Sequence, residues 1–254
     1  MPIAQVNGVK LVFEDLGLKS GIPLVFVHGW TADMHRWDEQ VKFFSPARRV
    51  IRLDLRGHGD SEKPVMKYSI KQFSEDINGL LNLLDIEKAI PVGHSMGGMA
   101  VQQFTLDYPE KVEKLILVNS IGKMKFSLGR RLMMSGSKSV PFKLFVQTNI
   151  QRAFKKGFPK DKLKEFVRLS QGTPRYVVMS CFDAMGEWDV LERLGSIKVK
   201  TLIIHGLYDI QLPASEALKL ALHIPGSVLK IIDCGHESPI ENPAALSSAI
   251  DNFI

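Results

Sequence analysis

The sequence predicts an α/β fold in which helices cover both faces of a mainly parallel β-sheet. Short apolar strands alternate with amphipathic helices along most of the chain. The run Pro23–Val27 is continuously apolar, as expected for a strand that is buried on both faces. The length of 254 residues allows one large domain of this kind or two small ones, with a large core in either case.

Each element is predicted from its hydrophobic period and its turn signals. The helix over Ser69–Asp85 has the clearest pattern, because its apolar residues recur every three or four positions. The predicted strands are Val9–Leu16, Pro23–Val27, Arg49–Leu53, Ala89–Val92, Val112–Val118, Val199–His205 and Val228–Ile232. The predicted helices are Met34–Phe44, Ser69–Asp85, Ser95–Tyr108, Pro213–Leu222 and Ala244–Phe253.

Residues 122–189 interrupt this alternation. The segment has Lys, Arg, Phe and Met at helical spacings and no convincing strand, which predicts a helical insertion into a core formed by residues 1–121 and 190–254. We do not expect it to fold independently, because its apolar residues need the core to cover. Between Ile121 and Val190 there are 14 Lys/Arg and 5 Asp/Glu. This excess predicts either a solvated helical surface or a docking face for an acidic partner, such as a carrier protein that presents the substrate.

Composition and motifs exclude several classes of protein. No apolar run approaches the ~18 residues of a transmembrane helix, and the N-terminal residues lack the pattern of a signal peptide. With only two cysteines, a disulfide framework is not expected, and we predict a cytoplasmic protein. Metal-ligand spacings, phosphate loops and dinucleotide fingerprints are missing, so the sequence predicts no metal, cofactor or nucleic-acid partner. Both a monomer and a homodimer fit.

The most informative motif is Gly-x-Ser-x-Gly at residues 93–97. A short strand precedes it and a helical pattern follows at once, which is the context of a nucleophile elbow. Such a turn strains the backbone of Ser95, and glycines at 93 and 97 remove the Cβ atoms that would clash. The motif therefore predicts that Ser95 is a nucleophile.

A serine nucleophile needs a base and a carboxylate that orients the base. His236 is the histidine that follows the last core strand, and Asp209 follows the strand before it. Open α/β sheets place their sites at these carboxyl ends. Asp233 is too close to His236 along the chain, and Asp189 belongs to the insertion. We therefore predict Ser95, Asp209 and His236 as the catalytic residues.

The loop after Val27 is predicted to complete an oxyanion hole. The backbone N–H of Trp30 would join that of Met96 on the developing oxyanion, and Gly29 would let the backbone approach. His28, His94, Cys234 and the loop containing Arg56, His58 and Asp60 are interpreted as structural. The apolar residues predicted to line the substrate pocket are Trp30, Phe142, Phe145, Met185, Trp188 and Leu212.

These motifs resemble those of the α/β-hydrolase superfamily over essentially the whole chain. The matching segments are 28–30, 54–61, 93–98, 206–209 and 235–236. The resemblance implies an eight-stranded, mostly parallel sheet with residues 122–189 as a helical cap over Ser95. A serine at position 95 disfavours the haloalkane dehalogenases and epoxide hydrolases, which carry Asp, and the dienelactone hydrolases, which carry Cys. Small carboxylesterases are the best likeness.

We therefore expect a serine carboxylesterase that cleaves a small or medium acyl ester through an acyl-enzyme on Ser95. Four alternatives remain open on the sequence. The same residues could hydrolyse a lactone or a carbon–carbon bond. They could instead hydrolyse a methyl ester linked to a carrier protein. As a third alternative, they could make the protein a cofactor-free perhydrolase. The fourth is a different class of protein, a hydrolase-fold receptor for a small ligand.

Overall fold

A computed structural model of the chain describes residues 1–126 and 142–254. Eight strands form one sheet with the order β1-β2-β4-β3-β5-β6-β7-β8. Strand β2 runs antiparallel to its neighbours β1 and β4, and every other pair is parallel. The strands are β1 (Ile3–Val6), β2 (Val9–Gly17), β3 (Leu24–Val27), β4 (Arg49–Leu53), β5 (Ile90–His94), β6 (Lys114–Val118), β7 (Lys200–Gly206) and β8 (Val228–Ile232). The predicted fold class and the eight-stranded sheet are confirmed.

The described helices cover both faces of the sheet, and three of them lie between β6 and β7 along the chain. They are α1 (Asp38–Phe44), α2 (Ile70–Leu83), α3 (Met96–Asp107), α4 (Phe142–Ala153), α5 (Lys160–Ser170), α6 (Arg175–Glu187), α7 (Ala214–His223), α8 (Ser238–Glu241) and α9 (Pro243–Asp251). Short 3₁₀ turns lie at Met34–Trp37, Pro109–Lys111 and Leu191–Ser196. No helix in the described ranges is long and apolar enough to span a membrane.

The period of two in each strand divides the core between the two faces of the sheet. In β3, Val25 and Val27 belong to a buried cluster that includes residues of α2 and α3. Leu24 and Phe26 point to the opposite face and join a second cluster with residues of α1 and α9. All four side chains are at most 1% exposed. Burial on both faces is the physical reason for the continuous apolar run in the sequence.

Three elements differ from the sequence prediction. Strand β1 was not predicted, because it is short and its residues alternate between exposed and buried. It pairs with β2 through a tight turn at Asn7 and Gly8, both of which have positive φ. The predicted helix Met34–Phe44 is a 3₁₀ turn followed by α1, and α8 is an additional short helix.

The two ends of the segment between β6 and β7 are held together by backbone contacts. Val190 N donates to Gly122 O at 3.0 Å, and Lys123 forms an antiparallel bridge with Asp189. Between these points the described residues form α4, α5 and α6. The end of α4 reaches the carboxyl edge of the sheet, where His236 N donates to Ala153 O at 2.7 Å.

Candidate active site

Ser95 lies at the tip of a sharp turn between β5 and α3. Its backbone is strained, with φ of 52° and ψ of −117°. A Cβ on Gly93 would overlap the backbone of Gly97, and a Cβ on Gly97 would overlap the backbone of β3. Only glycine fits at these two positions, which explains how the motif fixes the turn. The Ser95 hydroxyl therefore projects from the carboxyl edge of the sheet, beside the start of α3.

The structure brings Ser95, His236 and Asp209 together from three loops. His236 Nε2 lies 2.9 Å from Ser95 Oγ, and His236 Nδ1 lies 2.7 Å from Asp209 Oδ2. The side chains of His236 and Asp209 are 5% and 0% exposed. A buried carboxylate that accepts from Nδ1 leaves Nε2 free to accept the serine proton.

The Asp209 carboxylate is held by donors on both oxygens. Oδ1 accepts from Gln211 N at 2.8 Å and Leu212 N at 2.9 Å, and Oδ2 accepts from Asn119 Nδ2 at 2.9 Å. Burial alone would raise the pKa of Asp209, but His236 and these hydrogen bonds outweigh it and lower the pKa to about 2. Asp209 is therefore ionised at neutral pH.

Asp209 also sets the basicity of His236. Burial alone would lower the pKa of His236, but the negative charge of Asp209 and its hydrogen bond outweigh burial and raise that pKa. The loop that carries His236 is fixed by Glu241, whose carboxylate accepts from Gly235 N and Glu237 N, both at 3.0 Å. His94 Nε2 donates to the His236 carbonyl at 2.8 Å. Both contacts hold the imidazole in place.

Two backbone N–H groups beside Ser95 have no hydrogen-bond acceptor among the described residues. They belong to Met96, the first residue of α3, and to Trp30, in the loop after β3. A helix N-terminus is a favourable place for negative charge. A Cβ on Gly29 would lie 3.2 Å from Ser95 Cβ, so glycine allows the loop to approach the serine.

His28 holds this loop in place through two hydrogen bonds. Its Nδ1 donates to Gly29 O at 2.8 Å, and its Nε2 accepts from Leu55 N at 3.0 Å. The loop after β4 is in turn fixed by Arg56, which forms a buried pair with Asp76 of α2. His28 and Arg56 therefore make structural contacts, and neither residue lines the cavity above Ser95.

A narrow cavity of about 40 Å³ opens above Ser95. Of the predicted pocket residues, Trp30 and Phe145 line it. The structure places Phe142, Met185, Trp188 and Leu212 outside its lining. Trp188, for example, is turned toward α3, where its Nε1 donates to Gln103 Oε1 at 2.9 Å.

Sequence reasoning missed several cavity residues. One face of α4 contributes Val146, Asn149, Ile150 and Ala153, whose spacing of three and four residues is a signal that could have found them. The others are Thr31, Ala32, Val178, Gln211 and Glu237. Glu237 follows His236 directly along the chain, but neither its residue type nor its position in the sequence predicts that it lines a cavity.

The fold and the arrangement at the sheet edge define a class of protein. The family model described as "alpha/beta hydrolase fold" matches residues 22–243, and the chain belongs to this family. The protein is therefore an α/β-hydrolase-fold protein.

Relatives extend the likeness over almost the full length. The chain is 30% identical over 250 residues to 3-oxoadipate enol-lactonase 2 of Acinetobacter baylyi, covering 96% of this chain and 92% of that protein. The crystal structure of the enol-lactonase from Burkholderia xenovorans LB400 superposes with a TM-score of 0.93 at 26% identity, covering 99% of both chains. A thermophilic esterase from Thermogutta terrifontis gives a TM-score of 0.90 at 26% identity, covering 99% of this chain and 97% of that one.

Proposed function

We propose that the protein is a serine hydrolase that cleaves carboxylic esters through an acyl-enzyme. The observation that carries this proposal is the continuous hydrogen-bonded path from Ser95 Oγ through His236 to Asp209, with distances of 2.9 and 2.7 Å. A serine hydroxyl is a weak nucleophile at neutral pH, and an adjacent oriented imidazole removes that limit.

The reaction follows from this geometry. His236 Nε2 takes the proton of Ser95 Oγ as the oxygen attacks the ester carbonyl carbon. The carbonyl oxygen becomes an oxyanion that the N–H groups of Trp30 and Met96 stabilise, while Asp209 stabilises the imidazolium. His236 then gives its proton to the departing alcohol. A water molecule, deprotonated by the same imidazole, hydrolyses the acyl-enzyme and regenerates Ser95.

The dimensions of the cavity favour short acyl groups. A volume of about 40 Å³ holds roughly three water-sized groups, since one such group needs about 10–15 Å³. Acetyl to butyryl chains would fill it, so we expect the rate to fall for longer chains. A series of 4-nitrophenyl esters from acetate to dodecanoate measures this directly.

The deciding experiment compares the wild type with Ser95→Ala on these esters. We expect kcat to fall by roughly 10⁴-fold or more in the variant, and kcat/KM of the wild type to decline beyond butyrate. Gly195→Ala, outside the cavity lining, is the control for folding. Full activity of Ser95→Ala would refute the proposal.

A second candidate function is lactone hydrolysis, which the likeness to two enol-lactonases favours. A lactone is a cyclic ester, so each proton transfer is the same, and the alcohol remains attached to the acyl group. Comparing kcat/KM for γ-butyrolactone with that for methyl butyrate separates the two, because both have four-carbon acyl groups.

A further inference from the structure

The cavity above Ser95 is lined by an acidic residue that the proposed mechanism does not use. Glu237 lines the cavity, and its side chain is 10% exposed. No described residue donates a hydrogen bond within normal distance to either of its oxygens. Its cationic neighbour is Arg36, whose Nη1 lies 3.5 Å from Glu237 Oε2. The carboxylate is thus buried, loosely paired and able to accept hydrogen bonds.

Glu237 is ionised at neutral pH. Burial alone would raise the pKa of Glu237, but the charge of Arg36 and the nearby imidazoles of His94 and His236 outweigh burial and lower it. Arg36 offsets part of this charge, since its Nη1 lies 3.5 Å from Glu237 Oε2. Arg36 does not line the cavity above Ser95 and instead lines a separate surface cavity of about 440 Å³. Of the two charged residues, Glu237 is thus the one that lines the cavity above Ser95.

The neutral polar groups of the cavity are also acceptors. Asn149 Nδ2 donates to Phe145 O at 2.9 Å, and Gln211 Nε2 donates to Asn149 O at 3.0 Å. Each bond uses one of the two N–H groups of its amide, and the amide oxygens of both side chains remain available. Within residues 1–126 and 142–254, the cavity lining includes no lysine or arginine. The lining away from the oxyanion site thus offers acceptors and negative charge.

We propose that the site selects uncharged esters or lactones whose acyl part carries a hydrogen-bond donor, and that Glu237 rejects substrates with a carboxylate at the same place. This inference rests on the proposed ester hydrolysis at Ser95. An amide N–H or a hydroxyl would donate to Glu237, whereas a carboxylate would lose its hydration beside a like charge, in a cavity whose described lining contains no lysine or arginine.

The test uses three methyl esters of one acyl length. Methyl butyrate is the neutral reference, methyl succinamate adds a terminal amide, and monomethyl succinate replaces that amide by a carboxylate of the same shape. Acid release is followed by pH-stat titration. We expect the wild type to prefer succinamate over succinate by roughly 100-fold in kcat/KM, because a like charge on a residue that lines the cavity opposes binding in a site of low dielectric.

Two variants assign the preference to the charge of Glu237. Glu237→Gln is expected to reduce the preference to below roughly tenfold. It leaves Arg36 buried without its partner, so the double variant Arg36→Gln/Glu237→Gln, which removes both charges, tests the same point if the single variant does not fold. Asp233→Asn changes the same charge at an exposed position three residues before His236, and should keep the wild-type preference.

The outcomes separate the two proposals. If the wild type does not cleave methyl butyrate, or if Ser95→Ala cleaves it equally well, the proposed function fails and the inference with it. If methyl butyrate is cleaved but succinate and succinamate react equally, only the inference is overturned. An unchanged preference in folded Glu237→Gln or the double variant would also overturn it.

Discussion

Asn119 Nδ2 donates at 2.9 Å to Asp209 Oδ2, the same oxygen that accepts from His236 Nδ1. Asn119 follows β6 and Asp209 follows β7, so the two residues come from neighbouring strand ends. The Ser238 hydroxyl donates to Asn119 Oδ1 and fixes which way the amide points. Asn119 is thereby a positioning residue for the carboxylate, and its side chain lies one hydrogen bond away from the oxygen that contacts His236.

The first prediction concerns this relationship. Asp209→Asn is expected to lower kcat on a short ester by roughly 10³- to 10⁴-fold, because the imidazole loses its tautomer control and its stabilising charge. Adding Asn119→Asp should restore activity by at least roughly tenfold, since a carboxylate then lies beside His236 again. Steady-state kinetics on 4-nitrophenyl acetate measures both effects.

Ser120→Ala is the matched control for this experiment, because Ser120 is adjacent to Asn119 and its hydroxyl donates to Ser95 O rather than to Asp209. It should give no rescue in the Asp209→Asn background. If Asp209→Asn is equally active with and without Asn119→Asp, a carboxylate at position 119 cannot replace the carboxylate of Asp209.

The pH profile gives an independent second prediction. Neutral His236 is the base, so kcat/KM should rise with pH through the pKa of His236. Burial lowers this pKa, and Asp209 raises it by a larger amount, so the midpoint should lie above the ordinary value of 6.5. In Asp209→Asn the raising charge is lost and burial remains, so the midpoint should move to lower pH. A midpoint that stays in place would show that Asp209 does not act on the imidazole.

The sequence predicted the sheet and the three candidate residues for physical reasons that are visible in the structure. Gly93, Gly97 and the strained Ser95 leave a local signature, because only glycine tolerates the close approach. Asp209 and His236 could be found because parallel strands bring their carboxyl ends to one edge. The fully buried strands were recognisable from continuous apolar runs.

The pocket was much less predictable, because its lining depends on how helices pack. Phe145 lines the cavity, whereas Phe142 lies one turn away on the same helix and does not. Trp188 is of a residue type that often lines pockets, but a hydrogen bond to Gln103 holds its side chain toward α3. Glu237 and Gln211 have no sequence signal, since their role depends on partners distant along the chain.

A third prediction tests the tight contact beneath the elbow. Gly97→Ala is expected to lower the free energy of unfolding by about 3 kcal/mol, because the added methyl would overlap the carbonyls of Val27 and His28. It should also lower kcat, since any relief of the overlap displaces the Met96 N–H. Urea unfolding and ester kinetics measure the two effects.

Gly195→Ala serves as the control for this substitution, because the nearest atom to its added methyl is His223 O at 3.9 Å. We expect its unfolding free energy to stay within about 0.5 kcal/mol of the wild type. If both glycine variants were equally stable, the packing of α3 on β3 would not be the constraint that keeps glycine at position 97.

The last prediction concerns the ion pair that fixes the loop after β4. Arg56 Nε and Nη2 lie 2.6 and 2.5 Å from the two carboxylate oxygens of Asp76, and the side chains are 5% and 0% exposed. Arg56→Met should destabilise the fold by about 3–5 kcal/mol, because it leaves a buried carboxylate without its cation. The double variant Arg56→Met/Asp76→Leu should lose much less than the sum of the single variants, since it buries no unpaired charge.

Urea unfolding of the four proteins in this cycle measures the coupling. The exposed pair of Lys67 and Glu187, whose side chains are 70% and 62% exposed, is the control, and its cycle should show almost no coupling. Additive losses for Arg56 and Asp76 would mean that water screens the pair in the native state. A strong coupling would instead show that the Arg56–Asp76 pair joins α2 to the loop after β4. His28 accepts a hydrogen bond from Leu55 in that loop, so the pair also connects α2 to the oxyanion loop.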